Sequence, residues 1–271
     1  MFLTLSFTIL PSILILIFVI ISDKFREPVS SIIQAFLLGF LIIFPAGFLN
    51  NIFIGNSISL SFIAGFTEEP LKFITLYLFL RKRTEFDEPM DAIVYATLLS
   101  LGFATLENFQ YVYLDNNDIS SLSIAFLRAF TAIPLHACCG AIMGYYYGKY
   151  LFKGPTKNLL KSICFPIIIH SIYNYLCYLG DHGLYIYITL IIFYAVYLLN
   201  KMRDSQKQKN IEKEIINSSQ TIPSSSIPDI DVVGITLKKE LDKIEDLFDN
   251  SLITEEEKQR MRYKALGINS S

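Results

Sequence analysis

The sequence predicts an all-α fold: a polytopic transmembrane helix bundle of about seven spans, followed by a small cytoplasmic helical hairpin. Three observations predict it. The 271 residues are 52% hydrophobic, with a mean hydropathy of +0.44. Apolar runs of about 20 residues, the length that crosses about 30 Å of hydrocarbon, recur through the first 200 positions. Charge is segregated: of 23 Lys and Arg and 25 Asp and Glu, 12 and 13 lie after residue 200, which marks a membrane domain and a soluble appendage.

The runs cover residues 3–22, 29–50, 58–80, 90–114, 128–148, 159–179 and 183–200. The first has no basic residue ahead of its apolar core and no small-residue cleavage site, so it reads as an anchor rather than a secretion signal. In the fifth, Gly140, Gly144 and Gly148 recur every fourth residue, a spacing that suits close helix packing. Cys138, Cys139, Cys164 and Cys177 lack the spacing of a zinc site and read as small apolar fillers.

Basic residues alternate between connections. Lys24 and Arg26 lie in the first, Arg81, Lys82 and Arg83 in the third, Lys149, Lys153 and Lys157 around the fifth, and Lys201, Arg203, Lys207 and Lys209 after the last span; the second, fourth and sixth have none. Positive charge is retained on the cytoplasmic side, so the N-terminus is expected outside and the tail in the cytoplasm of a cell-membrane protein.

Behind the membrane domain (1–200), residues 201–235 include KQKNIEKE and SSQTIPSSSIPD and read as a flexible linker. A hairpin is expected over 236–268. Leu237, Leu241, Ile244 and Phe248 form one helical stripe, and Thr254 with Glu257 makes a capping box for a second helix. The balanced charges of the tail give no sign of nucleic-acid binding.

Ionisable groups inside the spans are few: Glu68, Glu69, Lys72, Glu107, His136 and His170. A charge at mid-bilayer costs at least ~2.5 kcal/mol, so such groups face the bundle interior. Glu68 and Lys72, four residues apart, are able to neutralise each other, which accounts for a pair but not for a cluster. Helical rise puts Glu68 roughly 15 Å, Glu107 roughly 10 Å and His170 roughly 14 Å from the outer ends of their spans. If the fifth span begins at Arg128, whose guanidinium would snorkel to the outer interface, His136 lies roughly 12 Å deep and residues 118–127 lie along the membrane surface.

EEPLK at 68–72, DAIVYATLLSLGFATLEN at 91–108, HxxxG at His136–Gly140 and HxxxN at His170–Asn174 occur in that order. Together, over roughly residues 60–180, they resemble the PrsW family of intramembrane proteases, which shares its motif order with the type II CAAX prenyl endopeptidases. Ala92 stands where that family usually has glycine, and Asn174 where an acidic residue is expected. The resemblance implies cleavage of membrane-anchored protein substrates; in the family that carries the name, the substrate is an anti-sigma factor. The hairpin resembles the SHOCT domain, with Ser251 for the usual turn glycine and Lys258 for the usual aromatic, and implies self-association or docking.

The same residues supply what peptide hydrolysis needs. Glu68 or Glu69 serves as general base on a water while Lys72 keeps the other carboxylate ionised. Glu107 completes the acid–base pair or orients the water. His136, His170 and Asn174 donate to the oxyanion. A zinc ion held by His136, His170 and Glu107 with one open position is the competing scheme. No HExxH is present, the ligands come from separate helices and Asn174 is a poor zinc ligand, so the metal-free, cofactor-free scheme is preferred. Two other classes remain open. One is a transporter or channel using the buried carboxylates for protons or cations, although neither an internal repeat nor paired broken helices is visible. The other is a catalytically silent membrane scaffold.

Reporters fused after residue 85 or 155 are expected to read as cytoplasmic, and those after 117 or 181 as external. An external tail would overturn the orientation.

Overall fold

The structure, a computed structural model, describes residues 1–114, 120–152, 154–220, 230–249 and 254–265. All its regular elements there are helical: α1 (Phe2–Ser22), α2 (Val29–Phe53), α3 (Ala64–Leu80), α4 (Pro89–Tyr113), α5 (Ser121–Phe130), α6 (Ala132–Leu151), α7 (Lys157–Leu179), α8 (Gly183–Gln220), α9 (Ile230–Asp249) and α10 (Glu255–Ala265). The chain forms two compact units, residues 1–206 and 207–271.

Six segments among the described residues are long and apolar enough to cross a membrane: α1, α2, α4, α5 with α6, α7, and α8 as far as Lys207. The expected third span departs from this. Residues 58–80 divide at Ala64 into a 3-10 segment, Ile58–Ile63, and α3, which has 17 residues and carries Glu68, Glu69 and Lys72. The fifth span also differs. A helix begins at Ser121, capped by the Ser120 hydroxyl accepting from the Ser123 amide at 3.2 Å, and breaks at Thr131, where α6 restarts. Residues 121–127 are therefore helical, residues 118–119 lie outside the described residues, and His136 lies four residues, about 6 Å, into α6.

Within the first unit α4 is the central helix, buried from Met90 to Thr105 and packed against α2 and α6. The outer helices invert the soluble pattern. On α1, Thr8 and Ser12 are buried whereas Leu14 and Phe18 are exposed; Phe44 and Phe48 on α2 and Ile186 and Phe193 on α8 are exposed too. Lipid is as apolar as leucine, so small and weakly polar residues mediate contact between helices while bulky ones meet the tails.

The glycine repeat of α6 faces α4. A Cβ at Gly144 would stand 2.3 Å from the Ala92 carbonyl oxygen, and one at Gly148 would stand 2.5 Å from that of Pro89. Ala92 is itself fully buried, and the two glycines opposite provide the room for its methyl group.

At the end where α1 stops, α4 begins and α8 passes, the Gln206 amide donates to Asp23 Oδ1 at 2.9 Å and also to Glu88. Tyr95 donates to Glu27. Asp91 caps α4, its Oδ2 accepting from the amides of Asp87 and Glu88 at 3.0 Å. Burial holds Asp23 and Glu27 above the usual carboxylate range and, with the Asp91 carboxylate beside it, raises Glu88 to about 7. The first and third connections and the start of the tail thus meet on one face.

In the second unit α9 and α10 pack together. Ile244 is buried, Lys258 donates to Glu245 at 2.6 Å and lies 4.2 Å from the Phe248 ring, and the Thr254–Glu257 capping box is formed. The expected linker is helical at both ends. α8 continues to Gln220 because residues 201–220 contain neither Gly nor Pro, and α9 begins at Ile230; residues 221–229 lie outside the described residues.

Gly144→Val is expected to cost more than the usual ~1–3 kcal/mol of overpacking, because the obstacle is backbone, and to abolish recovery of folded protein from detergent. Gly47→Ala, with nothing within 4 Å of the added carbon, is expected to leave the melting temperature unchanged. Equal behaviour of the two variants would contradict the packing.

Candidate active site

α3 brings Glu68, Glu69 and Lys72 inward together, since positions i, i+1 and i+4 of a helix share one side. Gly65 allows the approach: a Cβ there would lie 2.3 Å from Ser171 Oγ and 2.7 Å from the Ile167 carbonyl oxygen, so α3 crosses α7 in near backbone contact one turn before the glutamates. α7 then presents His170, α6 His136 and α4 Glu107. Glu68, Glu69, Lys72, His136 and His170 are all at most 2% exposed.

Lys72 is the centre of the network. Its Nζ donates to Glu69 Oε1 at 2.6 Å, stands 3.6 Å from Glu68 Oε2, and lies 4.2 Å from the Phe103 ring centroid. Lys72 thus forms the expected ion pair with Glu68 and a shorter one with Glu69. Nζ also approaches His136 Nδ1 at 3.0 Å. An ammonium only donates, so Nδ1 accepts and Nε2 carries the hydrogen that goes to Glu107 Oε2 at 3.1 Å. The same Glu107 oxygen accepts from Arg128 Nη2 at 2.6 Å. On the other side, His170 Nδ1 donates to Glu69 Oε1 at 2.9 Å, which leaves Nε2 as the acceptor of a neutral ring.

A cavity of about 360 Å³ opens onto this network, with Glu68, Glu107, His136 and His170 in its wall. Asn50 Nδ2 donates to Glu68 Oε1 at 3.0 Å, and Thr67 donates to Asn50 Oδ1. Glu68 Oε2 and Glu69 Oε2 have no hydrogen-bond partner. The adjacent glutamates thus differ: Glu69 is saturated on one oxygen by Lys72 and His170, whereas Glu68 faces the cavity.

The structure brings together Glu68, Glu69, Lys72, Glu107, His136 and His170. Asn174 stands in the cavity wall, but its amide donates to the Ser61 carbonyl oxygen at 3.2 Å and so fastens α7 to the 3-10 segment. Arg128 departs from its expected place. Instead of reaching outward, it bridges Glu107 and, through Nε at 2.8 Å, Asn108 Oδ1, with Tyr111 stacked 4.0 Å away. It is the one charged residue between positions 119 and 148, so the rule that singles out intramembrane charges applies to it as well. Asn50 and Thr67 carry no such signal.

One donor atom from each of Glu68, Glu69, His136 and His170 lies within 4.8 Å of the others. Two imidazoles, two carboxylates and two unpartnered carboxylate oxygens are a donor set that fits a divalent metal. The expected set of His136, His170 and Glu107 changes at its third member: Glu107 is engaged by Arg128, and the α3 glutamates replace it. His136 already uses both ring nitrogens, so coordination through it displaces Lys72 or Glu107.

Removing Lys72 would leave buried carboxylates without a counter-ion. Lys72→Met is expected to lose about 3–5 kcal/mol of stability, and Glu69→Gln in the same chain to restore much of it. Denaturation of the single and double variants reads the coupling; an additive cycle would refute it.

The geometry accords with the comparisons to known proteins. Residues 27–199 match the model of the PrsW family, described as intramembrane metalloproteases. Protease PrsW of Bacillus subtilis (strain 168) is 33% identical over 216 residues, covering 76% of this chain and 97% of that protein. The Protease PrsW of Oceanobacillus iheyensis is 38% identical over 182 residues, 64% of this chain and 81% of its own, and that of Clostridioides difficile (strain 630) is 31% identical over 222 residues, 76% and 92%. No solved structure matches. With the family model covering most of the chain and the ionisable cluster assembled inside an apolar bundle, this multi-pass membrane protein belongs to the PrsW family of intramembrane proteases.

Proposed function

We propose that the chain hydrolyses peptide bonds of membrane-anchored proteins at the cavity between α2, α3, α4, α6 and α7, with Glu68 as the general base. The observation that carries this reading is the asymmetry of the glutamate pair. Glu68 lines the cavity and meets Lys72 and His170 only through longer ion pairs of Oε2, at 3.6 and 3.8 Å, while Glu69 is hydrogen-bonded by both at 2.6 and 2.9 Å and does not line the cavity. Asn50 orients Glu68 through its other oxygen. Glu68 takes a proton from water as the water oxygen attacks the scissile carbonyl carbon, and returns it to the amine as the C–N bond breaks. His170, its Nδ1 held by Glu69, would donate to the developing charge from Nε2 once that nitrogen carries a proton, while His136, both ring nitrogens engaged by Lys72 and Glu107, positions the site. Glu107, engaged by Arg128, positions His136 rather than exchanging protons.

The metal-free preference rests on the missing HExxH, the separate helices and Asn174; a ligand group assembled from three helices needs no linear motif, and Asn174, engaged by the Ser61 carbonyl, is not among its members. His136, His170 and Glu69 would hold the ion, which leaves Glu68 as the base. Bound there, a divalent metal supplies Lewis-acid polarisation and a more acidic water. The cavity lies at the end of the bundle opposite the basic connections, so on the alternation of charge it faces the outer side. We assign the α9–α10 hairpin to self-association on the cytoplasmic side, because about 30 residues bury too little for an independent core.

Cleavage of a co-reconstituted membrane-anchored substrate tests the scheme. Glu68→Gln is expected to lower turnover by about 10² or more with folding intact, a strong chelator to abolish activity, and zinc to restore it. Unchanged cleavage by both Glu68→Gln and Glu69→Gln would eliminate the glutamate mechanism. Chelator-resistant activity would eliminate the metal. Proton or ion flux into protein-containing liposomes without cleavage would instead favour a transporter.

A further inference from the structure

A second group of buried ligand atoms lies at the other end of α4, about 24 Å along the helix from Glu107. One carboxylate oxygen each from Asp23, Glu27 and Asp91 lies within 4.8 Å of the others. The three residues are 4%, 8% and 0% exposed, so this is not an ordinary acidic surface. Among the described residues no Lys or Arg forms an ion pair with any of them.

An observation independent of the acidic residues points to a ligand. Gln206, 3% exposed, reaches into the group from α8; its Nε2 donates to Asp23 and Glu88, while its Oε1 has no partner. Asp23 Oδ2 and Asp91 Oδ1 are likewise buried without a partner. Three buried oxygen atoms of these neighbouring side chains thus lack a hydrogen-bond donor, and an unsatisfied buried acceptor is costly. The second oxygens of Asp23 and Asp91 are fixed, by the Phe25 amide at 3.1 Å and Gln206 in one case and by the amides of Asp87 and Glu88 in the other. The open oxygens are therefore held in place rather than loose.

We propose that Asp23, Glu27, Asp91 and Gln206 form a binding site for a hard divalent cation (Ca²⁺, Mg²⁺ or Mn²⁺) that clamps the first connection, the start of α4 and α8 together. All the candidate donors are oxygen, with neither imidazole nor thiolate among them, which selects against zinc. The cation supplies the charge that no basic side chain supplies among the described residues. Its effect on the proposed peptidase site is indirect: it fixes the start of the helix that carries Glu107 at its other end. The site does not depend on how the peptidase centre works.

Mn²⁺ titrated into the full-length protein in detergent, with bound ion read by electron paramagnetic resonance, tests the assignment. The wild type and a His136→Ala/His170→Ala variant are expected each to retain this ion, while Asp23→Asn binds one ion fewer than the wild type. Gln206→Met should weaken binding by about tenfold or more. The melting temperature of the wild type should rise saturably with Mn²⁺ or Ca²⁺, and that of Asp23→Asn should not. Equal Mn²⁺ binding by wild type, Asp23→Asn and Gln206→Met overturns the proposal. So does a wild-type melting temperature that rises at low pH but ignores all three cations, since the carboxyls would then be sharing protons. If Asp23→Asn does not fold, the comparison of wild type with Gln206→Met decides.

Discussion

A lysine ammonium with no exposed surface, inside a bundle made for lipid, is the constraint on which the rest of the membrane domain depends. Lys72 cannot reach water, so every charge it carries must be answered by the protein. Glu69 answers it directly, His136 accepts from it, and Phe103 offers its ring face. Each partner is in turn held: Glu69 by His170, and His136 by Glu107, which Arg128 holds. Five helices, α3 to α7, thereby contribute to one connected set of ions. Removing a member exposes its neighbour to the same uncompensated burial, so the set acts as a unit rather than as a sum of pairs.

Such a network requires backbones close enough for short side chains to meet, and small residues provide that. Gly65 lets α3 lie on α7 beside His170, and Gly144 and Gly148 let α6 lie on α4. Those contacts bring the Glu107 and His136 helices together. Hydrophobic burial cannot drive helices together in lipid, so packing and the polar interior carry the association. The exposed Leu, Ile and Phe of α1, α2 and α8 reflect the same condition.

Much of this was legible in the sequence because the membrane makes charge conspicuous. Glu68, Glu69, Lys72, Glu107, His136 and His170 each stand out against an apolar run, and the structure gathers all of them. What the sequence could not convey is helix rotation and local breaks. Arg128 sits near a helix end, where inward and outward directions are equally compatible with its spacing, and only the break at Thr131 and the position of Glu107 turn it inward. Asn174 has the right helical spacing from His170, yet its amide is taken by a 3-10 carbonyl that no periodicity announces. The polar stretch after residue 200 has linker composition, but helix-compatible residues without Gly or Pro carry α8 to Gln220.

The adjacency of Glu68 and Glu69 shows how one short motif yields two different carboxylates. Successive residues on a helix point about 100° apart. With α3 fixed against α7, that rotation turns one glutamate toward Lys72 and the other toward the cavity, and no further difference between the residues is needed. The bound carboxylate keeps the lysine inside; the lysine, being inside, fixes His136; and the remaining carboxylate faces the cavity beside His136, His170 and Glu107. Structural stability and chemical availability are thus divided between neighbouring residues by helix geometry. A glutamate pair with a lysine three and four residues on is therefore informative beyond its charge: the lysine hydrogen-bonds one member and holds the other only through a longer ion pair.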